Sequence, residues 1–211
     1  MQIVCVESID STHSFLCQSI RLQKIVQNMA IYALKQTEGI GSRDNVWHSA
    51  EGNLHLSFCI QMQDLPSDLP LASVSIYFAY LLKEVLEKNG SKAWVKWPND
   101  IYLDKLKIGG VMSTKLGDFI VCSVGLNLKT APKNSAILDI KIDLVSLVEE
   151  YIKEIEKKVL WKFIFRKYML EFEKSKAYKV HCNGEYISLE HAFLYEDGSI
   201  LLNDKRVYSL R

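Results

Sequence analysis

The stretch AWVKWPNDIYLDKLKIGGVMST, residues 93–114, carries the strongest fold signal in the chain. Residues 93–103 predict a strand that Pro98 interrupts, and proline is unusual in a central strand because it cannot donate to the ladder. The Asp-Lys dipeptide that follows predicts a turn, and residues 107–114 predict a returning strand. A local rule broken within a strand often marks a functional site, and the alternative is an edge strand with a bulge.

Charged residues and paired glycines occur together in this hairpin. Because a hairpin aligns its two strands, we expect Lys107 and Asp100 to lie at the same end of the sheet. The simpler interpretation is a cross-strand ion pair, worth about 0–1 kcal/mol if it is exposed. Gly109 and Gly110 weaken a strand, and such glycines usually mark the close approach of a ligand or of another backbone.

The remaining periodicity predicts an α/β main domain followed by a small all-β appendix. Further strands are predicted at residues 54–63 and 119–129. Helices are predicted to begin near residue 12 and to cover residues 22–35, 70–88 and, with breaks, 143–174. The last residues alternate over short runs separated by Asn-Gly and Asp-Gly, which are strong hairpin signals. We therefore divide the chain into residues 1–174 and 175–211.

Two polar segments outside the hairpin have the composition of a ligand site. Ser11 and Thr12 begin the first helix, where their hydroxyls serve either as caps alone or as hydrogen-bond partners of a neutral ligand head. The long loop 37–53 holds two glycines that permit close backbone approach, together with Arg43 for an anion and Trp47 for a planar group. The alternative for this loop is a surface segment whose tryptophan packs into the core.

Composition excludes several classes of protein. The 211 residues carry a net charge of +1 and are 48% hydrophobic, which disfavours a strongly basic nucleic-acid binder and an acidic disordered chain. The first ten residues lack the positive charge of a signal peptide, and no apolar run is long enough to span a membrane. The five cysteines form no Cys-x-x-Cys pair, so we expect reduced thiols, no zinc site and a cytoplasmic protein.

The order and spacing of these motifs resemble the biotin protein ligase family. The motifs are Ser-Thr at a helix start, QTEGIG with Trp47, GNL at 52–54, KWPND at 96–100, KIGG at 107–110 and VGLN at 124–127. The resemblance spans residues 9–128 and implies a mixed α/β catalytic domain, related to class II aminoacyl-tRNA synthetases, with a small SH3-like C-terminal β domain. It implies ATP-dependent biotinylation of one lysine of a biotin carboxyl carrier protein, typically of acetyl-CoA carboxylase, through biotinyl-5′-AMP.

The resemblance also implies roles for individual residues. Lys107, Arg43 and Asp100 would be catalytic, with Lys107 at the biotin carboxyl oxygen and the α-phosphate. Asp100 would orient the carrier lysine, since an ordinary carboxylate is a poor base for an amine. The biotin-binding set is Ser11, Thr12, His13, Gln36, Gly39, Gly41, Ser42, Arg43, Lys107, Gly109 and Gly110. The ATP-binding set is Arg43, Trp47, Asn99, Lys107 and Asn127, and Mg²⁺ would accompany ATP without protein ligands of its own.

The glycine-rich loop departs from the family pattern. The second arginine of that pattern falls on Ser42, so we expect Arg43, one residue later, to take its role; His13 replaces the usual asparagine after Ser-Thr. The chain starts almost directly at Ser-Thr, which predicts a monofunctional form without an N-terminal DNA-binding domain, and some relatives form homodimers. Two alternatives stay open: a lipoate or octanoate ligase of the same architecture, and a non-catalytic biotin-binding sensor.

Overall fold

A computed structural model describes residues 1–41, 46–182 and 185–208, with the side chain of residue 182 excluded. The helices are α1 (Thr12–Arg21), α2 (Val74–Lys88), α3 (Leu144–Glu156) and α4 (Trp161–Ser175). The strands of the main sheet are β1 (Gln2–Ile9), β2 (Met29–Gln36), β3 (Leu54–Gln61), β4 (Trp94–Lys96), β5 (Asp100–Leu103), β6 (Leu106–Leu116) and β7 (Phe119–Leu126). The later strands are β8 (Lys179–Cys182), β9 (Glu185–Ser188), β10 (Phe193–Leu194), β11 (Ile200–Leu202) and β12 (Lys205–Val207).

The seven strands of the main sheet lie in the order β1-β2-β3-β7-β6-β5-β4. Only β1 and β2 pair in parallel, and every other pairing between these strands is antiparallel. The helices α2, α3 and α4 pack in the larger core on one face, while α1 covers a smaller cluster that includes Ile31, Cys59 and Val121 on the other. This arrangement confirms the predicted mixed α/β class.

The predicted helix at residues 22–35 is wrong, because residues 29–36 form strand β2. This strand lies between β1 and β3, and four consecutive residues, 30–33, are buried. A strand covered on both faces is a continuous apolar run, and its periodicity does not distinguish it from a buried helix. The sequence pattern does not predict the parallel neighbour β1 either. In the sequence, residues 1–10 bear only on the absence of a signal-peptide pattern.

The predicted strand at residues 93–103 is also corrected, because it is a hairpin of two strands. The chain reverses between Lys96 and Asp100, and these two residues face each other across the β4–β5 pair. The Trp97–Pro98 peptide bond at the reversal is cis. The next turn lies where it was predicted, with Asp104 at a φ of 48°, so that β5 and β6 form the expected second hairpin.

The C-terminal strands form two small antiparallel sheets among the described residues, β8–β9 and β10–β11–β12. They are attached to the main sheet through residues 196–198. Trp97 Nε1 donates to the carbonyl of Gly198 at 2.9 Å, and Trp161 Nε1 donates to that of Glu196 at 2.7 Å. The predicted helical stretch 143–174 divides into α3 and α4, and the predicted small β region follows them.

Two further properties of the described residues concern membrane-spanning helices and cysteine thiols. Within the described ranges, no helix is both long and apolar enough to cross a membrane. The four cysteines with described side chains are free thiols; Cys17, Cys59 and Cys122 are buried and Cys5 is exposed. The expectation for Cys182 lies outside the described side chains.

Candidate active site

The strand register places the motif residues in one row across the sheet. Lys96 faces Asp100, Asp100 faces Gly110, Gly110 faces Gly125, and Gly125 faces His55. A cleft, here called the inner cleft, lies along this row and is lined on one side by the start of α1. Gly110 and Gly125 lie in the middle of the row and add no side chains of their own to the cleft.

A charged cluster stands at one end of the inner cleft. Lys107 Nζ lies 2.5 Å from Asp100 Oδ1, and Lys96 Nζ lies 3.7 Å from Asp100 Oδ2. This contact confirms the predicted meeting of Lys107 and Asp100. The side chain of Lys96 is 8% exposed, whereas that of Lys107 is 36% exposed. Two lysines against one carboxylate leave an excess of positive charge, and Lys107 is the cation that a bound anion can reach.

The start of α1 forms the polar wall of the inner cleft. Ser11 is the N-cap, and its Oγ accepts from Ser14 N at 3.4 Å. Thr12 donates from its backbone N (2.9 Å) and from its hydroxyl (3.0 Å) to Gln36 Oε1. Both hydroxyl residues are only 2% exposed. Ser11 is thus the helix cap that was one of the two interpretations, and both residues line the inner cleft.

His13 continues this wall and faces Ser123 on β7. Its Nδ1 lies 2.9 Å from Ser123 Oγ, and its Nε2 lies 3.5 Å from Cys17 Sγ. Burial first, and the nearby Arg21 second, lower the pKa of His13 below its ordinary value. The imidazole is therefore neutral at neutral pH and works as a hydrogen-bonding group.

Trp47 lines the inner cleft and also a second, outer cleft. Its indole lies directly on Gly125, since a Cβ on that glycine would come within 2.3 Å of the ring. Trp47 N donates to the carbonyl of Gly39 at 2.8 Å, and a β-bridge joins Ile40 to Val46. These contacts hold the two ends of the glycine-rich loop together beside the sheet. They also keep the indole of Trp47 where it lines both clefts.

The outer cleft contains Lys107, Asn127 and Ser135 among its lining residues. Asn127 donates through Nδ2 to the carbonyl of Ala136 at 3.1 Å, whereas its Oδ1 is buried and has no partner within the described part of the chain. A buried carbonyl oxygen without a donor costs free energy, so a ligand that supplies an N–H is favoured there. Lys107 lines both clefts and is thus, among the described residues, a cation that the two clefts share.

Asn53 holds the segment that directly follows Asn127, a role that the sequence pattern does not show. Its Oδ1 accepts from the backbone N–H groups of Leu128, Lys129 and Thr130 at 3.0, 2.9 and 3.2 Å. Its Nδ2 donates to the carbonyl of Thr130 at 2.9 Å. Asn53 was noted only as part of the GNL motif, and its partners lie 75–77 residues further along the chain.

The structure brings most of the predicted site residues together. The predicted residues that line the inner cleft are Ser11, Thr12, His13, Gln36, Gly41, Trp47, Asn99, Asp100, Lys107 and Gly110. Asn99 belongs to this cleft and not to the outer one, where Asn127 lies. Gly39 and Gly109 line neither cleft; a Cβ on Gly109 would come within 2.5 Å of the Gly125 carbonyl. Ser42 and Arg43 lie outside the described residues.

The comparison of the sequence with protein families identifies the class of protein. Residues 5–128 match the biotin/lipoate A/B protein ligase family, and the chain belongs to this family. Among solved structures, it is similar to the biotin acetyl coenzyme A carboxylase synthetase of Helicobacter pylori with bound biotinylated ATP. The TM-score is 0.93 and the identity 36%, over 99% of this chain and 100% of that chain.

Curated relatives are similar over part of their length. Biotin–protein ligase 2 of Arabidopsis thaliana is 39% identical over 102 residues, which are 44% of this chain and 31% of the relative. The bifunctional ligase/repressor BirA of Escherichia coli is 35% identical over 127 residues, 57% of this chain and 38% of the relative. The chain thus spans about a third of the length of these relatives.

Proposed function

We propose that this protein is a biotin protein ligase, which joins biotin to ATP and transfers the biotinyl group to a lysine of a biotin carboxyl carrier protein. The observation that carries the proposal is the position of Lys107, which lines both clefts and contacts Asp100. The similarity to proteins named biotin protein ligases supports this activity. Biotin would occupy the inner cleft and ATP the outer cleft.

The first step joins two anions, so it needs a fixed cation. An oxygen of the biotin carboxylate attacks the α-phosphorus of ATP, the bond to the β-phosphate oxygen breaks, and pyrophosphate leaves. Lys107 stands where the two clefts meet and would stabilise the charge that spreads over the phosphoryl oxygens. Trp47, whose indole lies against Gly125, would cover the adenylate between the clefts.

The second step needs an amine beside the acyl carbon. The lysine amine of the carrier attacks the acyl carbon of biotinyl-5′-AMP, AMP leaves, and the proton of the amine passes to solvent. Asp100 lines the inner cleft and also a third cleft, which contains Lys179, His181 and Tyr186 from the C-terminal strands. A carrier lysine that entered through this third cleft would meet Asp100 as its orienting anion.

Lys96 gives Asp100 a second cation. Lys107 and Lys96 approach different oxygens of the carboxylate. When a bound carboxylate or phosphate draws Lys107 away, the buried Lys96 still contacts Asp100 and keeps the carboxylate in place. One oxygen of Asp100 is then free to bind the carrier lysine. Completion of the first step thereby prepares the site for the second.

We expect Asp100→Asn to separate the two steps. Pyrophosphate release should stay within about threefold of wild type, because Lys107 is unchanged, while transfer to the carrier should slow by about 100-fold. Both rates are measured by single-turnover kinetics with preformed biotinyl-5′-AMP for the second step. The matched control is Asp104→Asn, an exposed carboxylate in the adjacent turn at a positive φ that asparagine accepts. Equal losses in both steps would contradict the orienting role.

The activity itself is tested by pyrophosphate release with ATP and Mg²⁺ in the presence of biotin, lipoate or octanoate. We expect release with biotin alone. Release with lipoate or octanoate in place of biotin would identify the related acyl ligase. Binding of biotin without any release would identify a non-catalytic sensor.

Further parts of the proposal rest on the resemblance and on general chemistry. Mg²⁺ would enter with the ATP phosphates, and acetyl-CoA carboxylase would supply the carrier. Arg43 would bind the adenylate phosphate in place of the residue at position 42. We also propose a cytoplasmic location, a catalytic domain at residues 1–174 with a small domain at 175–211, and a homodimer formed through a sheet edge, for which the edge strand β1 is available.

A further inference from the structure

An unbroken chain of hydrogen bonds beside the inner cleft joins α1 to the three strands β2, β3 and β7. Its members are Gln36, Thr12, Ser57, Ser123 and His13, and the hydroxyl contacts within it measure 2.7 Å from Thr12 to Ser57 and 2.7 Å from Ser57 to Ser123. The inference drawn from this chain rests on the proposed function and extends it to how the biotin head is read. Ser57 and Ser123 were not among the residues predicted from the sequence.

The orientation of the Gln36 amide fixes which atoms donate and which accept at one end of the hydrogen-bond chain. Ser49 donates its hydroxyl to the carbonyl of Trp47 at 3.2 Å, so Ser49 Oγ accepts from Gln36 Nε2 at 2.9 Å. The other end of the amide is the oxygen, and it accepts from both the N–H and the hydroxyl of Thr12. The two ends of the side chain thus agree on one orientation, and Oε1 has both lone pairs engaged.

Each hydroxyl has a single proton, so the donor and the acceptor of each following hydrogen bond are fixed in turn. The proton of Thr12 is used on Gln36, so Ser57 must donate to Thr12. The proton of Ser57 is thereby used, so Ser123 must donate to Ser57. Every hydroxyl proton of the hydrogen-bond chain is therefore used in a hydrogen bond, and each hydroxyl oxygen keeps one free lone pair.

His13 ends the chain as a donor. Because Ser123 has no proton left, the proton between the two residues must lie on His13 Nδ1. Nε2 of a neutral imidazole is then an acceptor, and it can accept from the Cys17 thiol at 3.5 Å. Burial raises the pKa of Cys17 and so keeps the proton on sulfur.

We propose that this chain presets the hydrogen-bond polarity of the inner cleft, and that Ser123 is a specificity residue that accepts from a ring N–H of the ureido head of biotin. Thr12 and Ser123 line the cleft with acceptor oxygens. Ser11 lines it with a hydroxyl whose proton meets no acceptor within the described part of the chain. One donor and two acceptors are the complement of a cyclic urea, which has one carbonyl oxygen and two N–H groups.

The same polarity disfavours the head of lipoate. A dithiolane ring has no N–H, so it would leave the two acceptor oxygens without partners in a water-poor cleft. An unpartnered buried polar group costs about 1–3 kcal/mol, and a site built for hydrogen bonds rejects ligands that lack them. The serine–histidine pair would therefore contribute to the choice between two ligands that this family's name allows.

The first test compares biotin and lipoate affinities by calorimetry. We expect Ser123→Ala and His13→Leu to weaken biotin binding by about 10- to 100-fold and to leave the affinity for lipoate unchanged or increased. His13→Asn keeps an N–H donor at the same place and should bind biotin within about threefold of wild type. Ser75→Ala, which removes a buried hydroxyl with no described partner, is the control and should not change biotin binding.

Unchanged biotin affinity in Ser123→Ala, or equal losses for biotin and lipoate, would overturn the inference. Wild-type protein that does not bind biotin would instead overturn the proposed function. Nitrogen-15 spectra of the ligand-free wild type test the proton order independently of any variant. We expect His13 to carry its proton on Nδ1, and a proton on Nε2 would show that the chain runs in the opposite direction.

Discussion

Replacement of Lys107 by alanine is expected to reduce biotin-dependent pyrophosphate release by about 100- to 1000-fold. One positioned donor for a developing anion typically contributes this much to catalysis. Lys107 is the cation shared by both clefts, and Lys96 is held in a buried contact with Asp100. The remaining lysine therefore cannot take over. The measurement is the rate of pyrophosphate release at saturating biotin and ATP.

The variant should still bind biotin, because the polar wall that would hold the ureido head belongs to α1 and β2. The matched control is Lys105→Ala, an exposed lysine two positions earlier in the adjoining turn, whose rate should equal that of wild type. Pyrophosphate release by Lys107→Ala within about threefold of wild type would refute the assigned role. Loss of biotin affinity to the same extent as rate would mean that Lys107 acts in ground-state binding alone.

Replacement of Asn53 by alanine is expected to lower the free energy of unfolding by about 2–4 kcal/mol. Asn53 is 1% exposed and accepts from three consecutive backbone N–H groups, so its loss leaves several buried polar groups without partners. These groups directly follow Asn127, which lines the outer cleft. The KM for ATP should therefore rise as well. Urea denaturation measures the first effect, and steady-state kinetics measures the second.

Two variants separate this clamp from a general effect of removing an asparagine. Asn53→Asp keeps an acceptor oxygen for the three N–H groups and should lose less stability than the alanine variant. Asn89→Ala removes an amide that bonds Val85 and Glu150 at the end of α2, and it should cost less than about 1 kcal/mol. A loss in Asn53→Ala no larger than that in Asn89→Ala would contradict the clamp.

The parts of the site that were predicted depend on contacts close in sequence. Asp100 and Lys107 are separated by one turn, and Asp-Lys at that turn is a local signal that tertiary packing does not override. Ser11 caps the helix that begins at Thr12. The family could then be recognised from the motifs, because several such local signals follow one another in the order and spacing typical of it.

The errors arise where burial hides the local pattern. Strand β2 is covered on both faces, so its apolar run was interpreted as a helix. The serines of the hydrogen-bond chain are a second case. Ser57 lies on the face of β3 that its apolar alternation leaves polar, and such a face is ordinarily solvent-exposed. Here α1 covers it, and Ser57 is fully buried.

Asn53 shows what a single sequence could not provide. Its three donors lie on the segment after β7, and they meet it only because β3 and β7 are neighbours in the sheet. The pairing of these strands depends on the whole topology. A motif residue can thus be recognised by its spacing, although its physical role becomes evident only from contacts distant in sequence.

The most direct test of the account is the intact mass of a biotin carboxyl carrier domain after incubation with the protein, biotin, ATP and Mg²⁺. We expect the carrier to gain the mass of one biotinyl group on one lysine. The gain should require both ATP and biotin, and it should be absent when lipoate replaces biotin. A carrier of unchanged mass, with biotinyl-5′-AMP formed, would contradict the transfer step; unchanged mass with no adenylate would contradict the ligase assignment itself.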